Sequence, residues 1–271
     1  MKISVSNIAW ENKELDEHLA LLKDLNCDGV EVAPSCIWEE PINATISEIN
    51  NFGKNVAKYG LEIPAFHALL FTKPELYLFG NKAARDDTIL YLKRLLELAG
   101  NLSVKVFVYG SPRSRQVDNK SYKECYKIAI DVFSELAQKA SSYNICFCIE
   151  PLGPRESDFI NNADEGYQLV QDVNSPYFGL HLDAKAMLEA KEDFSAVFNK
   201  YGSILRHFHV GDPGLAPPGY TGWDHSEIGN SLSKSLYKGF VSIEMKRSFG
   251  DTREVIRKAV AYVKEKYHIE L

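Results

Sequence analysis

The chain has 271 residues, 45% of them hydrophobic and 25% charged, with a formal net charge of −6. This is an ordinary composition for a globular protein that buries a large core without staples, and the acidic balance argues against a nucleic-acid partner. No apolar run approaches the roughly 18 residues of a membrane span and strand-like residues begin at Ile3, so a cytoplasmic protein without signal peptide or membrane partner is expected. The five cysteines form no CxxC pair; Cys146 and Cys148 alternate along an apolar run and read as small core residues.

In chain order, short apolar runs alternate with longer amphipathic stretches. Run 3–8 leads into 14–25, where Leu15, Leu19, Leu22 and Leu25 share a face. Run 29–33 precedes a helical stretch at 44–58. Run 61–67 precedes one carrying Ile89, Leu92, Leu95 and Leu96. Run 104–109 precedes one marked by Tyr126, Ile130, Phe133 and Leu136. Runs 145–150, 178–183, 205–210 and 240–244 follow, with helices expected at 163–173, 184–201, 226–237 and 255–267. Runs of about six residues rich in Val, Ile and Phe suit strands buried on both faces. Eight strand–helix pairs in this length predict an α/β chain folded as one (β/α)8 TIM barrel domain over residues 1–271. No GxGxxG or Walker-type glycine loop favours an open doubly wound sheet.

The last four strands are unusual in how they close. They end Cys-Ile-Glu150, His-Leu-Asp183, His-Phe-His209-Val and Ser-Ile-Glu244. In a closed barrel these ends converge on one mouth, where three carboxylates would repel one another unless a cation sat among them. Three oxygen donors and one nitrogen suit Mn²⁺, Mg²⁺ or Co²⁺, with Zn²⁺ as an alternative. Strand alternation places His181 below Asp183, His207 below His209 and Ser242 below Glu244. His181 and His207 are therefore expected to orient the ligands, the alternative being two satisfied core histidines. Capping the following helix is the competing role for any single carboxylate, but not for four consecutive strands.

Four segments carry a family resemblance: Ile149-Glu150-Pro151-Leu152, Gly179-Leu180-His181-Leu182-Asp183, His207-Phe208-His209-Val210-Gly211-Asp212 and Val241-Ser242-Ile243-Glu244. Along nearly its whole length the chain resembles the xylose isomerase-like sugar isomerases and epimerases, in particular the D-tagatose/D-psicose 3-epimerase branch. The resemblance implies one divalent metal on Glu150, Asp183, His209 and Glu244, with Glu150 and Glu244 as the acid/base pair. It implies a sugar contact at Glu156 and pocket-lining segments at His67, Tyr109–Ser111 and Asp224-His225. Two family contacts are replaced, a histidine by Ala186 and an arginine by Leu215. Of the basic residues near the mouth, Lys185 is the first candidate to meet an anionic group on the sugar, followed by Arg113; Arg115 and Arg155 read as solvated loop charges.

The expected activity is isomerisation or epimerisation of a ketose or sugar phosphate through a metal-stabilised cis-enediolate, with the two glutamates exchanging the proton. The alternatives are a metal-dependent lyase of the inosose dehydratase type, an apurinic endonuclease like endonuclease IV, and a non-catalytic sugar-binding barrel. The endonuclease needs three zinc ions and more ligands than are present; the intact ligand set speaks against a dead site. Self-association into a homo-oligomer is left open.

Overall fold

A computed structural model describes residues 1–270. Eight parallel strands run β1 (Lys2–Ser6), β2 (Gly29–Glu31), β3 (Ala65–Phe66), β4 (Val106–Tyr109), β5 (Cys146–Ile149), β6 (Phe178–Asp183), β7 (Leu205–Val210) and β8 (Phe240–Ile243). Their order is β2-β1-β8-β7-β6-β5-β4-β3. The open seam between β2 and β3 is closed by backbone bonds: Val30 N–H donates to Glu62 O at 2.9 Å, and His67 N–H donates to Val32 O at 3.0 Å. The expected TIM barrel is therefore present.

Helices α1 (Leu15–Asp24), α2 (Ile46–Lys58), α3 (Lys82–Asn101), α4 (Tyr122–Ser141), α5 (Ala163–Val173), α6 (Ala184–Glu189), α7 (Phe194–Tyr201), α8 (Ser226–Lys234) and α9 (Thr252–Lys266) connect the strands. Their apolar faces bury Leu92, Leu95, Leu96, Phe133 and Leu136 against the strands. Thr45 and Glu48 form a reciprocal capping box at α2, and Asn81, Asn162 and Asp251 accept N-terminal amides of α3, α5 and α9.

Two elements depart from the sequence expectation. The helix predicted over 184–201 is two helices, because Lys191 takes a positive φ of 56° and Asp193 caps a new start by accepting from Ala196 N–H at 3.0 Å. The strand predicted over 61–67 shrinks to two residues, since Pro64 has no N–H to give the ladder. No helix among the described residues is long and apolar enough to cross a membrane.

Candidate metal centre

Glu150 and Glu244 immediately follow β5 and β8, while Asp183 and His209 lie at the ends of β6 and β7. Each offers one ligand atom, and all four atoms lie within 4.8 Å of one another. Register produces the convergence: Asp183 pairs with His209, and His209 with Ser242, so the strand ends stand at one level.

Each of the four candidate ligands is placed by a different neighbour. His209 Nε2–H donates to Glu31 Oε1 at 2.8 Å. Glu31 is fully buried and also receives His207 Nε2–H at 3.1 Å and the Ser242 hydroxyl. Burial alone would push the Glu31 carboxyl up, but the charges of His209, His67 and His207 hold it well below the ordinary value. An ionised carboxylate only accepts, so Nε2 of His209 carries a proton, and Nδ1 is turned toward the cluster. That Nδ1 is buried without a hydrogen bond, 3.5 Å from Glu244 Oε2 and 4.0 Å from Glu150 Oε1.

Asp183 does two jobs. Its Oδ1 accepts from Ala186 N–H at 2.7 Å and caps α6, which leaves the second oxygen to the centre. Glu244 Oε1 is 3.1 Å from Nδ1 of His67, whose Nε2 meets the Ser6 hydroxyl. Glu150 keeps this position because residue 110 is glycine: a Cβ there would stand 2.3 Å from Glu150 Oε2, and the carboxylate would have to move.

The electrostatics match a site built around a cation. Burial pushes the Glu150 carboxyl up to about 8; Glu244 and Asp183 add to this and His209 opposes it. Burial likewise pushes Asp183 up to about 6, against the opposing Lys185 and His209 charges. Burial would raise Glu244 too, but the His209 charge and the His67 contact outweigh it and hold it well below the ordinary value. For His209, burial would lower the pKa, and the Glu31 and Glu244 charges raise it well above the ordinary value. The Glu150 and Asp183 carboxyls, which burial makes reluctant to ionise, and the His209 Nδ1 without a hydrogen bond would all find a partner in a divalent ion among them. Three carboxylate oxygens with one imidazole nitrogen suit such an ion.

The model of the xylose isomerase-like TIM barrel family matches residues 19–266. The chain belongs to that family. D-psicose 3-epimerase of Agrobacterium fabrum is 30% identical over 119 residues, 44% of this chain and 41% of that relative. The match to the Ruminiclostridium cellulolyticum D-psicose 3-epimerase likewise spans 40% of that protein's length. A probable ketose 3-epimerase of Synechocystis sp. is 22% identical over 263 residues, 90% of this chain and 84% of the relative. A solved structure of D-psicose 3-epimerase in the presence of D-fructose superposes with a TM-score of 0.84 at 20% identity, covering 98% and 99% of the two chains.

The remaining expected site residues of this xylose isomerase-like barrel divide into those at the mouth and those elsewhere. Lys185 is buried, and its ammonium bonds both Glu156 oxygens at 2.9 Å. Burial would lower its pKa; the Asp183, Glu156 and Glu244 charges raise it above the ordinary value. His67 spends both nitrogens on Glu244 and Ser6, so it supports Glu244 and has no nitrogen left for a sugar. His207 supports His209 through Glu31. His181 does not donate as expected: both its nitrogens are buried without a partner, Nε2 lying 3.8 Å from Glu150 Oε1.

Three further expectations need correction or narrowing. His225 is not a pocket residue, because its two nitrogens are taken by Asp212 Oδ1 at 2.8 Å and the Tyr267 hydroxyl at 2.9 Å, in a fully buried position. Arg115 is not a solvated charge: it is 0% exposed and donates Nη2–H to the Glu150 carbonyl at 2.6 Å. Burial lowers its pKa to about 10. Arg113 and Arg155 are exposed on their loops. Sequence reasoning missed Glu31, Ser6 and the roles of Gly110 and Arg115. Only Glu31 carried a readable signal, a carboxylate between Val30 and Val32 in a strand with no solvent face.

Proposed function

We propose that this chain is a divalent-metal-dependent ketose epimerase. The observation that carries this reading is the approach of Glu150 and Glu244 to one centre from β5 and β8, with Asp183 and His209 between them. These four residues would hold the ion. A bound divalent cation polarises a sugar oxygen, making the hydrogen on the adjoining carbon more acidic. One glutamate takes that proton, leaving an enediolate, and the other returns a proton to the opposite face, which inverts the carbon. Return of the proton to the neighbouring carbon would instead be aldose–ketose isomerisation. Two carboxylates from different sides of the mouth favour inversion, and the relatives named as 3-epimerases support it.

Lys185 and Glu156, joined as an ion pair at the mouth, are the proposed contacts for sugar hydroxyls. Ala186 and Leu215 stand where the resemblance leads one to expect a histidine and an arginine, so free D-psicose and D-tagatose should be poor substrates. A screen of metal-loaded protein against free and phosphorylated ketoses tests the reading. Epimer formation that stops with EDTA supports it; a dehydrated product would move the chain to the lyases. Best turnover with D-psicose or D-tagatose would show that positions 186 and 215 do not set specificity.

A further inference from the structure

At the end of the barrel away from the carboxylates, a cavity of about 700 Å³ opens between α2, α3 and the first residues of β7 and β8. Small-molecule sites have volumes of roughly 300–1,000 Å³. Leu61, Leu102 and Phe240 give this one an apolar wall. Three cations also line it: Lys54, Lys105 and Arg206. None of the three forms a salt bridge among the described residues, and Glu62, the one carboxylate on the wall, is taken by Lys2.

Arg206 reaches this place through two irregularities of the sheet. The β6–β7 register shifts so that Leu180 faces Leu205 and His181 faces His207, leaving Arg206 without an opposite residue. Such a shift re-aims a side chain. Gly179 then leaves room for the arginine stem, since a Cβ there would lie 2.6 Å from Arg206 Cγ and 2.8 Å from Cys146 Sγ. A ladder defect and a glycine together bring to the cavity a guanidinium that has no carboxylate partner among the described residues.

We propose that this cavity is a second ligand site, for a small organic phosphate. The phosphate dianion would lie against Arg206, Lys105 and Lys54, with a planar guanidinium for two oxygens and point charges for the rest. The body of the ligand would lie on Leu61, Leu102 and Phe240. This inference does not rest on the reading of the mouth.

Calorimetric titration of the metal-loaded chain with phenyl phosphate tests it, with phenol and inorganic phosphate as the two halves of the probe. One saturable site is expected, with phenyl phosphate bound at least about tenfold tighter than either half, as a charge-assisted pair predicts. Arg206→Met with Lys105→Met should weaken binding at least about tenfold, while chelating the metal should leave it unchanged. Asn50→Trp, on the exposed side of α2, should also weaken binding at least about tenfold by crowding the cavity without touching its charges, and it decides the matter if the double variant fails to fold. The proposal is overturned if phenyl phosphate does not bind, if Asn50→Trp binds it as tightly as the parent, or if binding disappears with the metal.

Discussion

In β5 to β8 the side chains at the mouth are Glu150, Asp183, His209 and Glu244, all facing one point. In β1 to β4 the corresponding level carries Ser6, Glu31, His67 and Gly110, none of which belongs to that set of four. The first half of the barrel holds what the second half offers. Glu31 turns the His209 ring, Ser6 and His67 hold Glu244, Gly110 makes room for Glu150, and Arg115 pins the Glu150 carbonyl. The difference teaches that a polar centre in a β/α barrel needs both halves. Donors alone would be buried charges on strands that tolerate none unpaired.

Loss of a donor should cost most. His209→Ala or Asp183→Asn should lower divalent-metal affinity well beyond the roughly 10–100-fold expected of an orienting residue. Elemental analysis after dialysis measures it. Full occupancy in His209→Ala would move His209 out of the centre and break the division between the halves.

Crowding a donor from the supporting half comes next. Gly110→Ala puts a methyl carbon 2.3 Å from Glu150 Oε2, so the carboxylate must shift. A displacement of about 1 Å costs on the order of 10²-fold in turnover. Steady-state kinetics on the metal-loaded variant would show it, and unchanged kcat would mean that Glu150 adapts freely.

Removing support without crowding should cost less. Glu31→Gln leaves His207 and His209 on a neutral acceptor and should weaken metal binding by roughly 10–100-fold. A loss as large as that of His209→Ala would erase the distinction between holding and donating.

The smallest effect is one of pH. Burial lowers His181 and His207, whose opposing effect is spent above the ordinary histidine pKa of about 6.5. The Glu150 and Asp183 carboxyls are raised to about 8 and about 6 in the folded chain, so between about pH 6.5 and pH 8 the folded state binds more protons than the unfolded one. The stability that these groups contribute is complete below their unfolded pKa and is lost as pH rises through the folded values. His209, also raised, acts in the same direction above its unfolded value. Metal-free protein should therefore melt at lower temperature as pH rises across this window, and the stabilisation by added Mn²⁺ should grow. A melting temperature of the metal-free protein that climbs through the same window would contradict this.

The legible part of the molecule follows from where partners lie. Strand runs and amphipathic faces are local patterns, and the four donors announce themselves as polar residues closing apolar runs at Glu150, Asp183, His209 and Glu244. The supports do not, because their partners are distant: Glu31 bonds His207, His209 and Ser242, 176 to 211 residues away. Arg115 looks like any loop arginine until the fold brings the Glu150 carbonyl to it. His225 follows Trp223 and Asp224 in a loop on the active face, yet Asp212 and Tyr267 draw it inward. The break between α6 and α7 was hidden because Glu189-Ala190-Lys191-Glu192 suits a helix, and the Asp193 cap decides against continuation.

The division of the mouth between Glu150 and Glu244 is tested most directly by hydrogen exchange. Glu150→Gln and Glu244→Gln keep the side-chain shape but cannot accept a proton. Each should be loaded with excess metal, its occupancy checked, and incubated with substrate in deuterated water. Turnover should fall by more than the roughly 10²–10⁴-fold typical of one acid/base group, since ligand and proton carrier are lost together. NMR of the recovered sugar should show that one of the two variants still exchanges the carbon-bound hydrogen while forming no product. If both metal-loaded variants turn over like the parent, the two-glutamate account is wrong, and the base must be sought elsewhere, first at His67.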